Sequence, residues 1–261
     1  MKTKLVIKVG GALLHNKLAL ASLLSVLKSL MDDFNLIMVH GGGDTVQTLL
    51  EKLQFESHKI DGIRVTPSEQ IPYVSGALAG TVNTQLCAAA TTQGFRPVGL
   101  TLLDGNSCQA QAMKGDFGAV GTVTPADPQL LETLSSQGFL PVVSSIACSA
   151  AGDILNINAD DAAAAIAQLL NADLILLSDV DGVLDADKQL IAELNQAQFN
   201  DYCQTDVIQG GMVVKVRSAL DTAQTTQKSV YITSWKTPDG LFALTRGESC
   251  GTRIYCESTD A

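Results

Sequence analysis

Three cationic side chains stand in apolar surroundings. Lys8 interrupts LVIKV (5–9), Lys215 interrupts MVVKV, and Arg64 lies between Ile63 and Val65. An unpaired ammonium in a strand buried on both faces costs several kcal/mol, on the order of buried-charge penalties. Lys8 precedes a glycine turn, so it is better placed to project into the crevice beyond the strand ends, where open α/β sheets bind ligands, than to snorkel to an edge. Lys215 follows Gly210-Gly211 by one turn, as at a helix start that faces phosphate; a solvated surface lysine is the other reading. Arg64 serves equally as a bidentate carboxylate clamp or as half of a surface salt bridge.

Glycines mark where anions could sit. Gly10-Gly11 closes the first strand pattern and Gly41-Gly42-Gly43 the second, and each run leads into a helix. Such turns expose backbone N–H groups and a helix N-terminus with no side chain in the way. One pair is only a tight turn; two in the first two βα units favour anion binding. G-x-G-x-x-G is not matched and G-x-x-x-x-G-K-[ST] does not occur, which removes the common dinucleotide fingerprint and the P-loop.

Carboxylates and amides supply the counter-charges. Asn156, Asn158 and Asp160 alternate in LNINAD before an alanine-rich helix. Asp160 reads as that helix's N-cap, or as a carboxylate holding two lysines or a metal in register. Asp179 and Asp181 in SDVDGVLD suit a ribose contact or an Asx turn. His40 is a lone strand-end histidine with no catalytic role assigned. With three histidines and no G-x-S-x-G, Ser/His/Asp chemistry has no support.

Short β-rich runs alternating with longer helical ones must position these residues, the pattern of a mostly parallel α/β sheet. Strands are expected at LVIKV, NLIMVH, GIRVT, RPVGL, LPVVSSI, LILLS, SVYITSW and GTRI, and a hairpin excursion over 105–121. Asp44 is the expected N-cap of the second helix. A long helix covers SEQIPYVSGALAGTVNTQLCAAATT, with a bend expected near Pro72. Its Gly76, Ala77, Ala79 and Gly80 admit a close neighbour, either within the core or across a subunit interface.

The chain has 261 residues, a formal net charge of −10 and 46% hydrophobic residues. That is enough to bury a sizeable core, and the acidic balance disfavours nucleic acid and anionic membranes as partners. Six scattered cysteines without Cys-x-x-Cys fit reduced thiols in a cytoplasmic protein. No apolar run is long enough to span a bilayer.

Taken together, VIKVGGALL, VHGGG, GIRVT, NINADDAAAAIA, LLSDVDGVLD and GMVVKV resemble the amino-acid kinase family, in its branch that phosphorylates acylated glutamate. The resemblance runs from the first strand to the closing GTRI. It implies an open αβα sandwich of two lobes, residues 1–171 binding the acyl-amino acid and dimerising, residues 172–261 binding ATP. By that similarity Lys8, Lys215 and Asp160 are catalytic, with Asp160 holding both lysines. Gly42, Gly43, Arg64 and Asn156 would bind N-acetyl-L-glutamate. Gly10, Gly11, Asp179, Val180, Asp181, Gly182, Val183, Leu184, Val207, Ile208 and Gln209 would meet the nucleotide. Mg²⁺ would bridge phosphate oxygens, with no metal ligand expected from the protein.

Two positions depart from the family pattern: Ala12, where many members carry Ser, and Gly210, where Asp commonly precedes Gly-Met. Kinases of aminoadipate-type acceptors are the nearest siblings, and a non-catalytic ligand sensor on the same scaffold is the reading from another class. The short lead from Met1 to Lys8 points to a homodimer through the GALAG helix, without the extra N-terminal helix of arginine-inhibited hexamers.

Overall fold

The computed structural model describes residues 2–60, 62–246, 248 and 250–256. The chain opens with β1 (Thr3–Val9), the one-turn α1 (Gly11–Leu14) and α2 (Lys17–Leu30), then β2 (Phe34–His40) and α3 (Gly43–Lys52). A small ribbon, β3 (Lys59–Ile60) with β4 (Ile63–Arg64), precedes α4 (Ile71–Ser75), a π-helical segment (Gly76–Val82) and α5 (Asn83–Thr92). The middle of the chain contains β5 (Pro97–Thr101), β6 (Cys108–Ala112), β7 (Val120–Pro125), α6 (Gln129–Ser136), β8 (Leu140–Ser144), β9 (Ile146–Cys148) and β10 (Ile154–Ile157). It closes with α7 (Ala159–Leu170), β11 (Asp173–Ser178), β12 (Glu193–Leu194), α8 (Gln196–Gln204), α9 (Gly211–Thr226), β13 (Val230–Ser234), α10 (Phe242–Thr245) and β14 (Thr252–Ile254).

Eight strands form one sheet in the order β12-β14-β13-β11-β1-β2-β8-β5. Every pairing is parallel except β13 with β14. Alternation along β1 sorts its side chains between two helical layers. Leu5, Ile7 and Val9 share a core with Leu23, Leu24 and Leu27 of α2. Val6 shares the opposite core with Ala163 and Ile166 of α7 and Val216 and Ala219 of α9. Strands with both faces covered read as apolar runs, which is why LVIKV and DLILLS looked continuous. Lys8 is two residues beyond Val6, so it leaves the sheet on the α7/α9 side.

The expected hairpin excursion is present as the antiparallel pair β6–β7. It belongs to a second sheet, β6-β7-β10-β9, in which β10 runs parallel to β7 and carries Asn156. The α/β sandwich with a mostly parallel sheet is therefore the observed architecture, extended by a smaller β layer.

Three local expectations are corrected. Pro72 does not bend the long helix; it occupies the first turn of α4, where its missing N–H costs nothing. The irregularity lies further on, in the π-helical turns of Gly76–Val82. Asp44 is not a cap: Gly42 caps α3, and Asp44 sits in the first turn, its charge favourable at the positive end of the helix. Asp160 is not a cap either. Asn158 caps α7, its side chain accepting from the backbone N–H of Asp160 at 2.8 Å and of Asp161 at 3.4 Å. Capping by Asn158 leaves the Asp160 carboxylate available for other partners.

Candidate active site

Lys8, Asp160 and Lys215 meet in one buried cluster. Lys8 Nζ lies 3.0 Å from Asp160 Oδ1. Lys215 Nζ donates to both oxygens of the same carboxylate at 2.9 Å. The three come from the end of β1 and from the first turn of α7 and the second turn of α9, two helices packed on one face of that sheet. Each residue is at most 9% exposed. Burial by itself raises the Asp160 carboxyl, but Lys8 and Lys215 together hold it at about 2. Burial lowers Lys215, Asp160 opposing the shift and Lys8 adding to it. One carboxylate set against two ammonium groups leaves one positive charge unneutralised at the strand ends. Such a cluster is built to receive an anion.

Beside it opens a cavity of about 270 Å³ lined by Lys8, Asp160, Arg64, Asn156 and both glycine runs. Gly11 borders the backbone N of Gly43, where an added Cβ would sit at 3.3 Å. The two glycine turns thus approach each other as closely as missing side chains allow. Arg64 is held by Gln47 Oε1 at 2.7 Å, by the Gly43 carbonyl at 3.1 Å and by Ser57 Oγ. Burial lowers its pKa, with Asp44 and Glu51 opposing. The guanidinium is part of the cavity wall, and among the described residues it forms no salt bridge. Asn156 donates to Thr66 Oγ1 at 3.2 Å.

The structure also places in this wall residues that the sequence reading passed over. Ser145 follows the end of β8 and lines the cavity. Its position just past a parallel strand end was the available signal. Lys59 and Val120 line it as well, on the ribbon and on the second sheet, with nothing in their local sequence to mark them.

The expected nucleotide residues fall into two places. Val180, Gly182, Val183, Leu184, Val207, Ile208 and Gln209 line a separate cavity of about 400 Å³, together with Met212 at the start of α9. Asp179 and Asp181 belong to the same turn, but their side chains are not in that wall; Ser178 Oγ donates to Asp179 Oδ1 at 3.4 Å. Gly10 and Gly11 line the first cavity instead, beside Lys8. Gly210, one of the departures noted above, has φ +56° and ψ −131° as the N-cap of α9. That backbone conformation is all but closed to residues with a Cβ, so glycine suits this entry on local grounds.

Residues 3–234 match the family model described as "Amino acid kinase family". The chain belongs to that family. It is 48% identical over 255 residues to an acetylglutamate kinase of Aeromonas salmonicida, covering 97% of this chain and 98% of that protein. An acetylglutamate kinase of Pasteurella multocida is likewise 48% identical over 252 residues, covering 96% and 98%. Among solved structures, smu.665 from Streptococcus mutans superposes with a TM-score of 0.81 at 30% identity, covering 98% and 99%. The family match over residues 3–234 includes every residue that lines the two cavities.

Proposed function

We propose that this amino acid kinase phosphorylates the side-chain carboxylate of N-acetyl-L-glutamate with ATP, forming N-acetyl-L-glutamyl 5-phosphate and ADP, the second step of arginine synthesis. The observation that carries the reading is the Lys8–Asp160–Lys215 cluster, beside a cavity equipped for a carboxylate, in a chain whose relatives are acetylglutamate kinases over their full length.

The chemistry follows from charge. A γ-carboxylate has a reference pKa of about 4.3, so it is ionised at neutral pH and needs no general base. One of its oxygens attacks the γ-phosphorus; the bond to the β,γ-bridging oxygen breaks, and that electron pair leaves with ADP. No proton moves. The protein's part is positioning and neutralising charge. Lys8 and Lys215 stabilise the transferring phosphoryl group, and Asp160 holds both ammonium groups in place. Gly42, Gly43, Arg64 and Asn156 hold the acyl-amino acid, residues 1–171 forming its lobe. Residues 172–261 form the nucleotide lobe, through the wall from Val180 to Leu184 and Val207 to Gln209.

Mg²⁺ is the ion that accompanies the nucleotide. Among the described residues no three His, Cys, Asp or Glu side chains converge as a metal cage, and Asp160 already accepts from two lysines. Phosphate oxygens and water would then supply the magnesium ligands, as is common for Mg²⁺ at nucleotide sites.

The enzyme acts as a homodimer in the cytoplasm. Gly76 and Gly80 are exposed, with open space where a Cβ would stand, which suits the approach of a second helix. All six cysteines are free thiols, and no helix among the described residues is long and apolar enough to cross a membrane.

The deciding experiment is ATP-dependent hydroxamate formation across a panel of acceptors. N-acetylglutamate should react, and free glutamate far less. Equal or better turnover of glutamate, aspartate, N-acetylaminoadipate or UMP would transfer the assignment to a sibling activity.

A further inference from the structure

His40, the last residue of β2, is completely buried and belongs to neither cavity wall. Its Nδ1 lies 2.8 Å from the Gly41 carbonyl oxygen, which can only accept, so Nδ1 carries the proton. Its Nε2 lies 3.0 Å from Asn83 Nδ2. That nitrogen also faces the carbonyls of Val142 at 2.8 Å and Leu100 at 3.3 Å, so it is the amide NH₂ and Nε2 must accept. A single neutral tautomer fits both contacts of the imidazole, the two amide hydrogens of Asn83 being shared among three acceptors of which Leu100 is the most distant. Burial pulls the imidazole down to about 4, the bond to Gly41 opposing, and no charged side chain contributes to the shift.

Asn83 is the first residue after the π-helical turns. From there its amide reaches three neighbouring strands: His40 at the end of β2, Val142 in the middle of β8 and Leu100 on β5. The sheet makes room for it, because a Cβ at Gly99 of β5 would collide with Asn83 Oδ1. The turn just before Asn83 packs on the same glycine loop from another direction. A Cβ on Gly42 would lie 2.8 Å from Val82 Cγ2 and 2.9 Å from Leu78 Cδ2. The loop from Gly41 to Gly43 is therefore held at Gly41 by a part-buried hydrogen bond and at Gly42 by close packing. Both restraints trace to one helical run.

We propose that His40 and Asn83 form a positioning pair that sets the glycine loop for the acceptor carboxylate, governing acceptor affinity rather than the phosphoryl-transfer step. Neither residue lines either cavity, so the pair acts through the loop. It acts by removing alternative conformations from three consecutive glycines, whose backbone has the widest conformational freedom of any residue type. The assignment of the glycine loop to the acceptor rests on the function proposed above; the tautomer of His40 and its bond to Asn83 do not.

The test combines spectroscopy with a paired substitution in the full-length protein. Nitrogen-15 shifts of the His40 imidazole should report the neutral Nδ1–H form, unchanged down to pH 5. An Nε2–H tautomer, or titration near the ordinary histidine value, would overturn the proposal. His40→Leu should raise the acceptor KM about ten-fold or more, with kcat within about three-fold and the KM for ATP within about two-fold. His40→Asn, whose amide can still donate near the Nδ1 position, should recover most of that loss. An unchanged acceptor KM in His40→Leu, an equal rise in both KM values, or no recovery in His40→Asn would refute a positioning role. If His40→Leu does not fold, the imidazole spectra and the acceptor KM of His40→Asn, expected within about three-fold of the unsubstituted enzyme, decide the matter. Should the panel identify another acceptor, its KM is the one to read, so failure of the substrate assignment is distinguishable from failure of this proposal.

Discussion

At the scale of single residues, the site is a balance of one carboxylate against two ammonium groups. On the proposed mechanism, replacing either lysine by alanine removes charge that matters most as the phosphoryl group transfers. Lys8→Ala and Lys215→Ala should each lower kcat by about 10²–10³, in the range measured for lost transition-state donors. Hydroxamate formation at saturating substrates checks this, and unchanged kcat in both would remove them from the chemistry. Arg64→Ala should instead raise the KM for N-acetylglutamate; an effect confined to ATP would rule out a carboxylate clamp.

Asp161 gives a different kind of prediction. Burial first, then the charges of Asp160 and Asp221, push its carboxyl up to about 6 from 3.8, against a hydrogen bond with Ser218. A raised carboxyl pKa favours the fold below the unfolded value and loses that contribution as pH rises through the folded one. Asp161→Asn should therefore stabilise the protein at pH 7.5, by about 1–3 kcal/mol. The gain should shrink below about pH 6 and vanish below about 3.8. Denaturant melts across that range would show it, and a pH-independent difference would contradict it. Lys8 was legible in the sequence because its charge broke an apolar run. Asp161 was not, because an acidic residue in a first helical turn is ordinary.

At the scale of elements, the start of α7 does two jobs with adjacent residues. Asn158 closes the helix N-terminus, which leaves Asp160 free to accept from both lysines. Asn158→Ala should cost about 1 kcal/mol of stability, the usual loss for an N-cap. It should also lower kcat by letting the Asp160 carboxylate shift. Calorimetry and turnover together test this; lost stability with full activity would mean that the cap does not position Asp160. Strand and helix periods revealed nearly every large element, because both faces of β1 and β11 are covered and read as apolar runs. The π-helical turns were hidden. GALAG carries small residues with no period of its own, and the packing of Leu78 and Val82 on Gly42 and the reach of Asn83 to β8 are tertiary contacts no local pattern announces.

At the scale of the whole molecule, the net charge of −10 and the cationic crevice coexist without conflict. Total charge describes the exterior, whereas Lys8 and Lys215 are buried around one carboxylate and Arg64 is built into the cavity wall. Oligomerisation belongs to this scale as well. Light scattering should report a homodimer, and Gly80→Glu, which fills and charges the open space on that helix, should shift it to monomer. A monomer or a hexamer before substitution would set aside the proposed interface.

What the sequence determined by itself were most of the large elements and their order, because hydrophobic period and glycine punctuation are local properties of the chain. It also singled out Lys8, Arg64, Asp160 and Lys215 as chemically unusual residues. Tertiary structure decided which of them meet. Lys8 reaches Asp160 because side-chain alternation sends it to the face covered by α7 and α9, and Lys215 arrives there because those helices pack together. It likewise joined His40 to Asn83 across 43 positions of chain, and gave the buried imidazole partners that no local pattern could announce. Such pairings depend on register and packing between distant segments, and these exist only once the sheet has formed.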